Sequence, residues 1–573
     1  MPIELRVRAI LAISFIMGTS CLSHSPRWQA RTAGPVLRSV SAEQQPSPRG
    51  PSSSRPGTAS KPAPASVPSP SRDGRILFHN TVVREGIALE LQIEPLSGAD
   101  YAGASIIAGD YIRISIGVHD AETGSPLTGL HPSAWMSLLR DSADVPCKVR
   151  VKSYLSGSLL AARPEVDLNT YYVAALNQSG SITVVDPQFS SGRSRLVSRI
   201  ELKGPGEDWS LSSDRSRLYV SMPTANQVAA IDTGSWHIVR RTQIQKPARL
   251  ALQPDEQYLW VSYGDQPSGI AVLRASDLGL VKQIALAKGP HDIAFSSDSR
   301  FALVTNRGAG SVAVIETSRL AVIRELKTGG QPSHVAFSAI AQSAYVTDSE
   351  NGMIFSISAA HQEVVPRMQA EPGLTHIYFP GDGRLGFVLN PRQGKVHILD
   401  VARNEIVQTA AIDKMPAQIA FSDQLAYVVR QGSELIEMFP LDQLGGLHTR
   451  VPVVDLPGAK SSGASYFADD DSTALVVQIP GENSVVIASP GDKAMYYYDE
   501  GMAAPMGISS NFGEEPRAVL VIDRSLRERT PGIYETSTQL DKPGVYSLPL
   551  LVNSPPLVEC FTVPVAPRTT PKR

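Results

Sequence analysis

From about Tyr171 to Pro490 the chain repeats one pattern of short apolar runs broken by Gly, Ser, Asp and Asn. The clearest copy lies between Gly289 and Gly330 and holds four such runs, IAFS, FALVTN, SVAVIE and AVIREL. Runs of this length, apolar throughout or alternating, predict strands, and four in succession predict one four-stranded antiparallel sheet. The second run recurs around Val173, Val220, Val261, Val304, Val346, Val388, Val428 and Val476, at intervals of 47, 41, 43, 42, 42, 40 and 48 residues. A four-stranded unit with this period predicts a β-propeller, in which each sheet covers the faces of its neighbours. Eight copies of the second run predict eight blades. The first run, typified by HDIAFSSD, is found seven times, which leaves a seven-bladed ring as the alternative. With eight, the sheet of Tyr171 needs a first strand from elsewhere, most simply from residues just after Pro490, which would close the ring and hide its edges.

ALVTN followed by SVAVIE, after a first strand ending in AFSSD, resembles the YVTN-type propeller repeat. The resemblance covers roughly residues 171–490. At this level YncE-like propellers, the eight-bladed haem d1 propeller of nitrite reductase and seven-bladed lactonase-like propellers look similar to it. The resemblance implies a fold; it implies little about activity, which sits in loops grafted on the ring.

The flanks are built differently. Residues 1–21 carry Arg6 and Arg8 before an apolar run from Ala9 to Met17 and read as a secretory signal peptide, so the protein is expected to be exported to the periplasm or the cell envelope. Gly18, Thr19 and Ser20 before Cys21 resemble a bacterial lipobox, with Gly18 where Leu is usual. Lipidation of Cys21 would tether the protein to the membrane; the alternative is ordinary cleavage and a soluble periplasmic protein. Residues 22–75 are rich in Pro and Ser and poor in apolar side chains, and read as a disordered linker. In residues 76–157, Ile87, Leu89, Leu91 and Ile93, then Ile112, Ile114, Ile116 and Val118, alternate as half-buried strands do. A third strand is expected near Trp135. After the propeller, assigned to residues 165–491, residues 492–566 supply AVLVID, IYETSTQL, VYSLPLLV and LVECFTV, followed by a disordered tail at 567–573. Three strands and four make the seven of a minimal immunoglobulin-like β-sandwich. DAETGSPLTGL and PGIYETSTQLDKPGVYSLPLLV resemble phrases of the FixH/YtkA-like exported sandwiches, which implies one sandwich cut in two by an inserted propeller. Two separate caps are the alternative.

Beyond Cys21 the chain has two cysteines, Cys147 and Cys560, one in each flank. In an exported protein they read as a disulfide, and otherwise as two buried free thiols. Lys and Arg number 53 and Asp and Glu 55, so no overall field draws nucleic acid to the protein.

The first strand of each blade lines the central channel, so residues three before its Phe or equivalent form a ring: Asp208, Arg249, Asp292, His334, His376, Gln418 and Ala464, with His291 one position away. Asp292, His334 and His376 are ligand types for a transition metal. His334, His376 and Arg249 would be the groups to hold a haem, the histidines at its iron and the arginine at its carboxylates. No C-x-x-C-H is present to attach haem covalently. Met495, Met502 and Met506 are soft donors of the kind that bind copper, or core filling. No Ser/His/Asp triad, phosphate loop or paired carboxylate stands in a catalytic context, and Asp469, Asp470 and Asp471 read as a turn. The expected function is therefore a non-catalytic binding or scaffold module of the envelope that holds a partner protein or small ligand. The alternative is a redox protein with haem or a metal at the channel mouth.

Overall fold

The computed structural model describes residues 76–96, 105–139, 145–155, 164–187, 195–264, 266–381, 383–413, 415–458, 460, 474–553 and 556–568. The signal peptide, Cys21, the linker, Ala464, Asp469 to Asp471 and residues 569–573 lie outside them.

Eight of the sheets formed by the described residues have four strands and two have five. The repeat is legible in the sheet made of Ile293–Phe295, Phe301–Asn306, Ser311–Glu316 and Ala321–Lys327, an antiparallel meander. Its second and third strands are buried almost end to end, whereas the fourth is mostly exposed. Middle strands covered on both faces need apolar side chains at every position, and the outer strand, wet on its rim, does not. The corner between first and second strands is also built from sequence. Ser296 Oγ donates to Asp298 and accepts from the Phe301 N–H, and Asp298 accepts from the Arg300 N–H. Ser212, Asp214, Ser216 and Arg217 repeat the arrangement two sheets earlier, in the Val220 unit.

Adjacent sheets share apolar clusters, and following them returns to the start. Leu259 packs with Tyr219, Val304 with Trp260, Phe355 with Leu303, Val388 with Tyr345, Val428 with Phe387, and Ile487 with Tyr427. Val173 then joins the Ile487 cluster, and Leu176 packs with Val220. This closed succession of four-stranded sheets is a β-propeller.

Seven of the eight valines sit at one structural position, each opposite a first-strand residue: Val173 opposite Val521, Val220 opposite Trp209, Val261 opposite Leu250, Val304 opposite Ile293, Val346 opposite Val335, Val388 opposite Ile377 and Val428 opposite Ile419. Val476 departs from the reading. It lies in a first strand, Val476–Gln478, and pairs with Ile487 of Ser484–Ser489, which is the true second strand. Both strands are apolar runs, so their periodicity does not separate them.

The sheet of Tyr171 is completed by Pro516–Asp523, which pairs antiparallel with Tyr171–Asn177. The expected donor just after Pro490 instead forms Ala494–Asp499 and Gly507–Ser510, the outer strands of the Val476 sheet. Residues 494–523, which the sequence reading put in the sandwich, thus pair with propeller strands. AVLVID is the closing strand because its uninterrupted apolar run suits a place covered on both faces.

The two five-stranded sheets join the chain's flanks. One has the order Phe78–Arg84, Ile87–Pro95, Tyr111–Asp120, Ile533–Gln539, Arg527–Thr530. The other has Ile106–Ile107, Pro556–Ala566, Gly544–Asn553, Ser133–Leu138, Val166–Asp167. Alternating Leu89, Leu91, Ile114 and Ile116 of the first share one apolar cluster with Leu548, Leu550, Phe561 and Val563 of the second. Ile112 lies opposite Thr538 and Ser133 opposite Leu551, so neither sheet exists without both ends of the chain. Cys147, at the start of the helix Cys147–Leu155, is bonded to Cys560, with Cα atoms 5.9 Å apart.

Candidate functional site

The matched inner positions converge as the repeat requires. Asp208, Arg249, Asp292, His334 and His376 line one cavity of about 200 Å³, together with Glu207, Ser262, His291 and Ser333. The backbone that carries the first three is held by the hydroxyl that follows the central valine of the same sheet. Ser221 Oγ accepts from the Asp208 N–H (3.0 Å), Ser262 Oγ from the Arg249 N–H (2.9 Å) and Thr305 Oγ1 from the Asp292 N–H (2.8 Å). This gives the repeating V-S and V-T pairs a physical role that the sequence reading missed, although the pairs were visible in it.

The side chains then reach from one inner strand to the next. Asp208 accepts from the Leu250 N–H (2.8 Å), Asp292 from the Val335 N–H (2.9 Å) and His334 Nδ1 from the Ile377 N–H (3.3 Å). Gln418 does the same for the Leu475 N–H (3.0 Å). Leu475, whose carbonyl accepts from the residue after Ile487 as Asp292 does from the residue after Val304, occupies the register that the sequence reading gave to Ala464. Arg249, which has no acceptor, is instead clamped by its neighbours, with Nε 2.8 Å from Asp292 and one terminal nitrogen 3.5 Å from Asp208. Burial opposes its charge, but Asp292 and Asp208 outweigh burial and raise its pKa. A guanidinium held by two carboxylates is neutralised and not free for the carboxylates of a haem.

The ligand reading of His334 meets a similar obstacle. Its Nδ1 accepts a backbone N–H, so the ring proton is on Nε2, which lies 3.2 Å from Asp292 Oδ2 and donates to it. Both nitrogens are engaged, and no lone pair is left for a metal or an iron. The carboxylate oxygens of Asp292 are likewise taken, one by Arg249 and one by His334 and Val335. Among the described residues no group of three or more His, Cys, Asp and Glu side chains is placed to hold a metal ion. His376 differs. It is only 6% exposed, lines the cavity, stacks on Tyr378 at 15° with ring centres 5.7 Å apart, and has no hydrogen-bond partner among the described residues. Burial depresses the pKa of His334, with Arg249 adding to it; burial depresses that of His376, with His334 adding. Both rings are neutral at pH 7. His291 is fixed separately, Nδ1 donating to the Thr305 carbonyl at 2.7 Å.

The methionines share no environment. Met495 is buried in an apolar cluster, and Met502 and Met506 are 49% and 41% exposed.

No family model matches the sequence, and no curated protein matches it. Solved structures do. A functionally unknown protein from Desulfotomaculum acetoxidans DSM 771 matches with a TM-score of 0.43 and 14% identity, over 62% of this chain and 99% of that one. The C-terminal WD40 domain of Sif2 matches with a TM-score of 0.47 and 9% identity, over 56% and 90%. The periplasmic gluconolactonase PpgL of Pseudomonas aeruginosa matches with a TM-score of 0.39 and 19% identity, over 50% and 96%. The propeller assignment rests on the strand pairing and the closed succession of sheets described above.

Proposed function

We propose that this chain is an exported, non-catalytic binding module: an eight-bladed propeller of the YVTN type, carried by an immunoglobulin-like sandwich whose two halves the propeller separates. The cavity at Asp292 and His376 is its recognition site for a small polar ligand or a side chain of an envelope partner. The observation that carries this reading is the finished state of the cavity wall. Asp208, Arg249, Asp292 and His334 satisfy one another and the neighbouring backbone, so the wall is rigid, and His376 alone presents a neutral ring whose hydrogen bonds remain to be made. A preorganised pocket with one convergent polar group is the usual form of a small-ligand site. The Cys147 to Cys560 disulfide supports export. Tethering through Cys21 fits the same role. A redox role with haem or a transition metal is disfavoured by the engaged nitrogens of His334 and the clamped Arg249.

The test is ligand-observed NMR against a library of small polar compounds, with an absorption spectrum and metal analysis of protein purified from its native envelope. Compounds whose binding disappears in His376→Ala, on a colourless and metal-free protein, are the expected result. A Soret band, or stoichiometric metal lost in His376→Ala, would overturn the reading, as would a screen in which every hit binds His376→Ala equally well.

A further inference from the structure

A second cavity, of about 310 Å³, lies where the sandwich meets the propeller, and its lining includes Arg113, Arg215, Arg529, Asp214 and Glu535. Arg113 comes from Tyr111–Asp120 and Glu535 from Ile533–Gln539, neighbouring strands of one sandwich sheet. Arg529 is on the edge strand Arg527–Thr530 of that sheet, and Asp214 and Arg215 form a propeller corner. The seam is closed beside the cavity by Ser537 Oγ, which donates to the Asp214 carbonyl (2.6 Å), and by Tyr111, whose hydroxyl donates to Asp232 (3.0 Å).

Three guanidinium groups thus face one space, and none has a carboxylate at hydrogen-bonding distance. Arg215 is 3.8 Å from Asp523, Arg113 is 3.9 Å from Glu94, and Arg529 has no ion-pair or hydrogen-bond partner among the described residues. Elsewhere arginines find closer partners: Arg84 is 2.6 Å from Glu559, and Arg527 is 2.8 Å from Asp523, which leaves Arg215 the longer contact. The two acids of the cavity are turned to hydroxyl and backbone donors. Asp214 accepts from Ser212, Ser216 and the Ser216 N–H, and Glu535 accepts from Ser115. Like charges left in one partly closed cleft cost free energy until an anion joins them, and bidentate guanidinium contacts suit a tetrahedral oxyanion.

We propose that this seam cleft binds a phosphate group, free or as the phosphomonoester of a small molecule, gripped by Arg113, Arg215 and Arg529. Burial lowers the pKa of Arg215; Asp523 opposes this, and Arg529, Arg527 and Arg524 add to the lowering, which a bound dianion would offset. Because the gripping residues come from both sides of the seam, occupancy would also tie sandwich to propeller. The site is independent of the His376 cavity.

Titration calorimetry of the mature protein at low ionic strength, with inorganic phosphate and separately with glycerol phosphate, tests it. Arg529→Gln and Arg113→Gln, both at partly or fully exposed side chains, are each expected to weaken binding about tenfold to a hundredfold, as loss of a charge-assisted contact does. Glu535→Gln is expected to strengthen it, and Arg300→Gln, remote and exposed, to leave it unchanged. Tighter binding of glycerol phosphate than of inorganic phosphate identifies a phosphorylated molecule as the ligand; the reverse identifies the free anion. Absence of measurable heat for both, or equal weakening by Arg300→Gln, would overturn the assignment.

Discussion

Asp292 is the keystone of the inner network, and its removal has a calculable cost. It is buried, with Oδ1 2.8 Å from Arg249 Nε, and with Oδ2 2.9 Å from the Val335 N–H and 3.2 Å from His334 Nε2. Asp292→Ala strips the Val335 amide of its acceptor, which costs about 1–3 kcal/mol for a buried donor. It also leaves Arg249 with Asp208 alone, at 3.5 Å. Breaking a buried ion pair costs about 3–5 kcal/mol, and the Arg249 side chain is 27% exposed and keeps one carboxylate, so roughly a third of that applies here. The sum is about 2–5 kcal/mol. Asp292→Asn keeps one acceptor oxygen and is expected to lose about 2 kcal/mol. Adding Arg249→Met to Asp292→Ala removes the under-paired, mostly buried cation and should restore about 1 kcal/mol. Because the chain has a propeller and a separate pair of five-stranded sheets, the assay must resolve them: urea unfolding followed by native-state hydrogen exchange at the inner-strand amides, Val335 among them. A loss below about 1 kcal/mol for the alanine variant, or no recovery in the double variant, would refute the coupling described here.

Three further outcomes are expected. The folded-state pKa values of His334, His376, His291 and His397 all lie below the ordinary value of 6.5, burial being the first cause in each. The unfolded chain therefore binds more protons once the pH drops below about 6.5, and stability is full above that value and lost below it, by up to about 1.4 kcal/mol per pH unit for each histidine. Urea midpoints from pH 7.5 down to 5.5 check this, and a flat profile counts against it. Reduction, or Cys147→Ser with Cys560→Ser, frees a 413-residue separation, for which loop entropy sets a ceiling of roughly 6 kcal/mol. A loss of about 2–4 kcal/mol is expected, confined to amides of the sandwich sheets, and exchange spread evenly over the propeller would contradict it. Val519→Asp puts a charge on the buried closing strand, opposite Ala175. Exchange at Tyr171–Asn177 amides should then rise at least a hundredfold, roughly what about 3 kcal/mol of local destabilisation gives, and unchanged protection would show that the closing strand is dispensable.

What the sequence made legible was whatever the repeat enforces. Seven valines at matched register place seven second strands, and equal positions in consecutive units bring Asp208, Arg249, Asp292, His334 and His376 into one cavity without any further information. What those residues do was not legible. Whether His334 has a lone pair to offer depends on the Ile377 N–H, a backbone group that carries no sequence signature. The eighth unit failed for a related reason: a long stretch of sequence after Val454–Pro457 breaks the period, and the apolar run beyond it, ALVVQI, matches a second strand in pattern while occupying the place of a first. Arg113, Arg215 and Arg529 share no repeat and no motif, and only the folded seam makes them neighbours.

Every device that closes this fold joins residues hundreds of positions apart. Val173 pairs with Val521, Ile114 with Thr536, and Cys147 bonds to Cys560. Until the last of these segments arrives, the strand Tyr171–Asn177 lacks its inner neighbour and the alternating apolar faces of Ile87–Pro95 and Tyr111–Asp120 have nothing opposite them. Loop-closure entropy rises only slowly with length, so the cost of waiting is less in free energy than in time spent with open sheet edges. The sheets from Trp209 to Pro457 need no distant strand and form their own meanders. They are therefore the part able to assemble first, after which the nearly closed ring holds its two exits side by side and turns closing strand, sandwich and disulfide from long-range encounters into local ones.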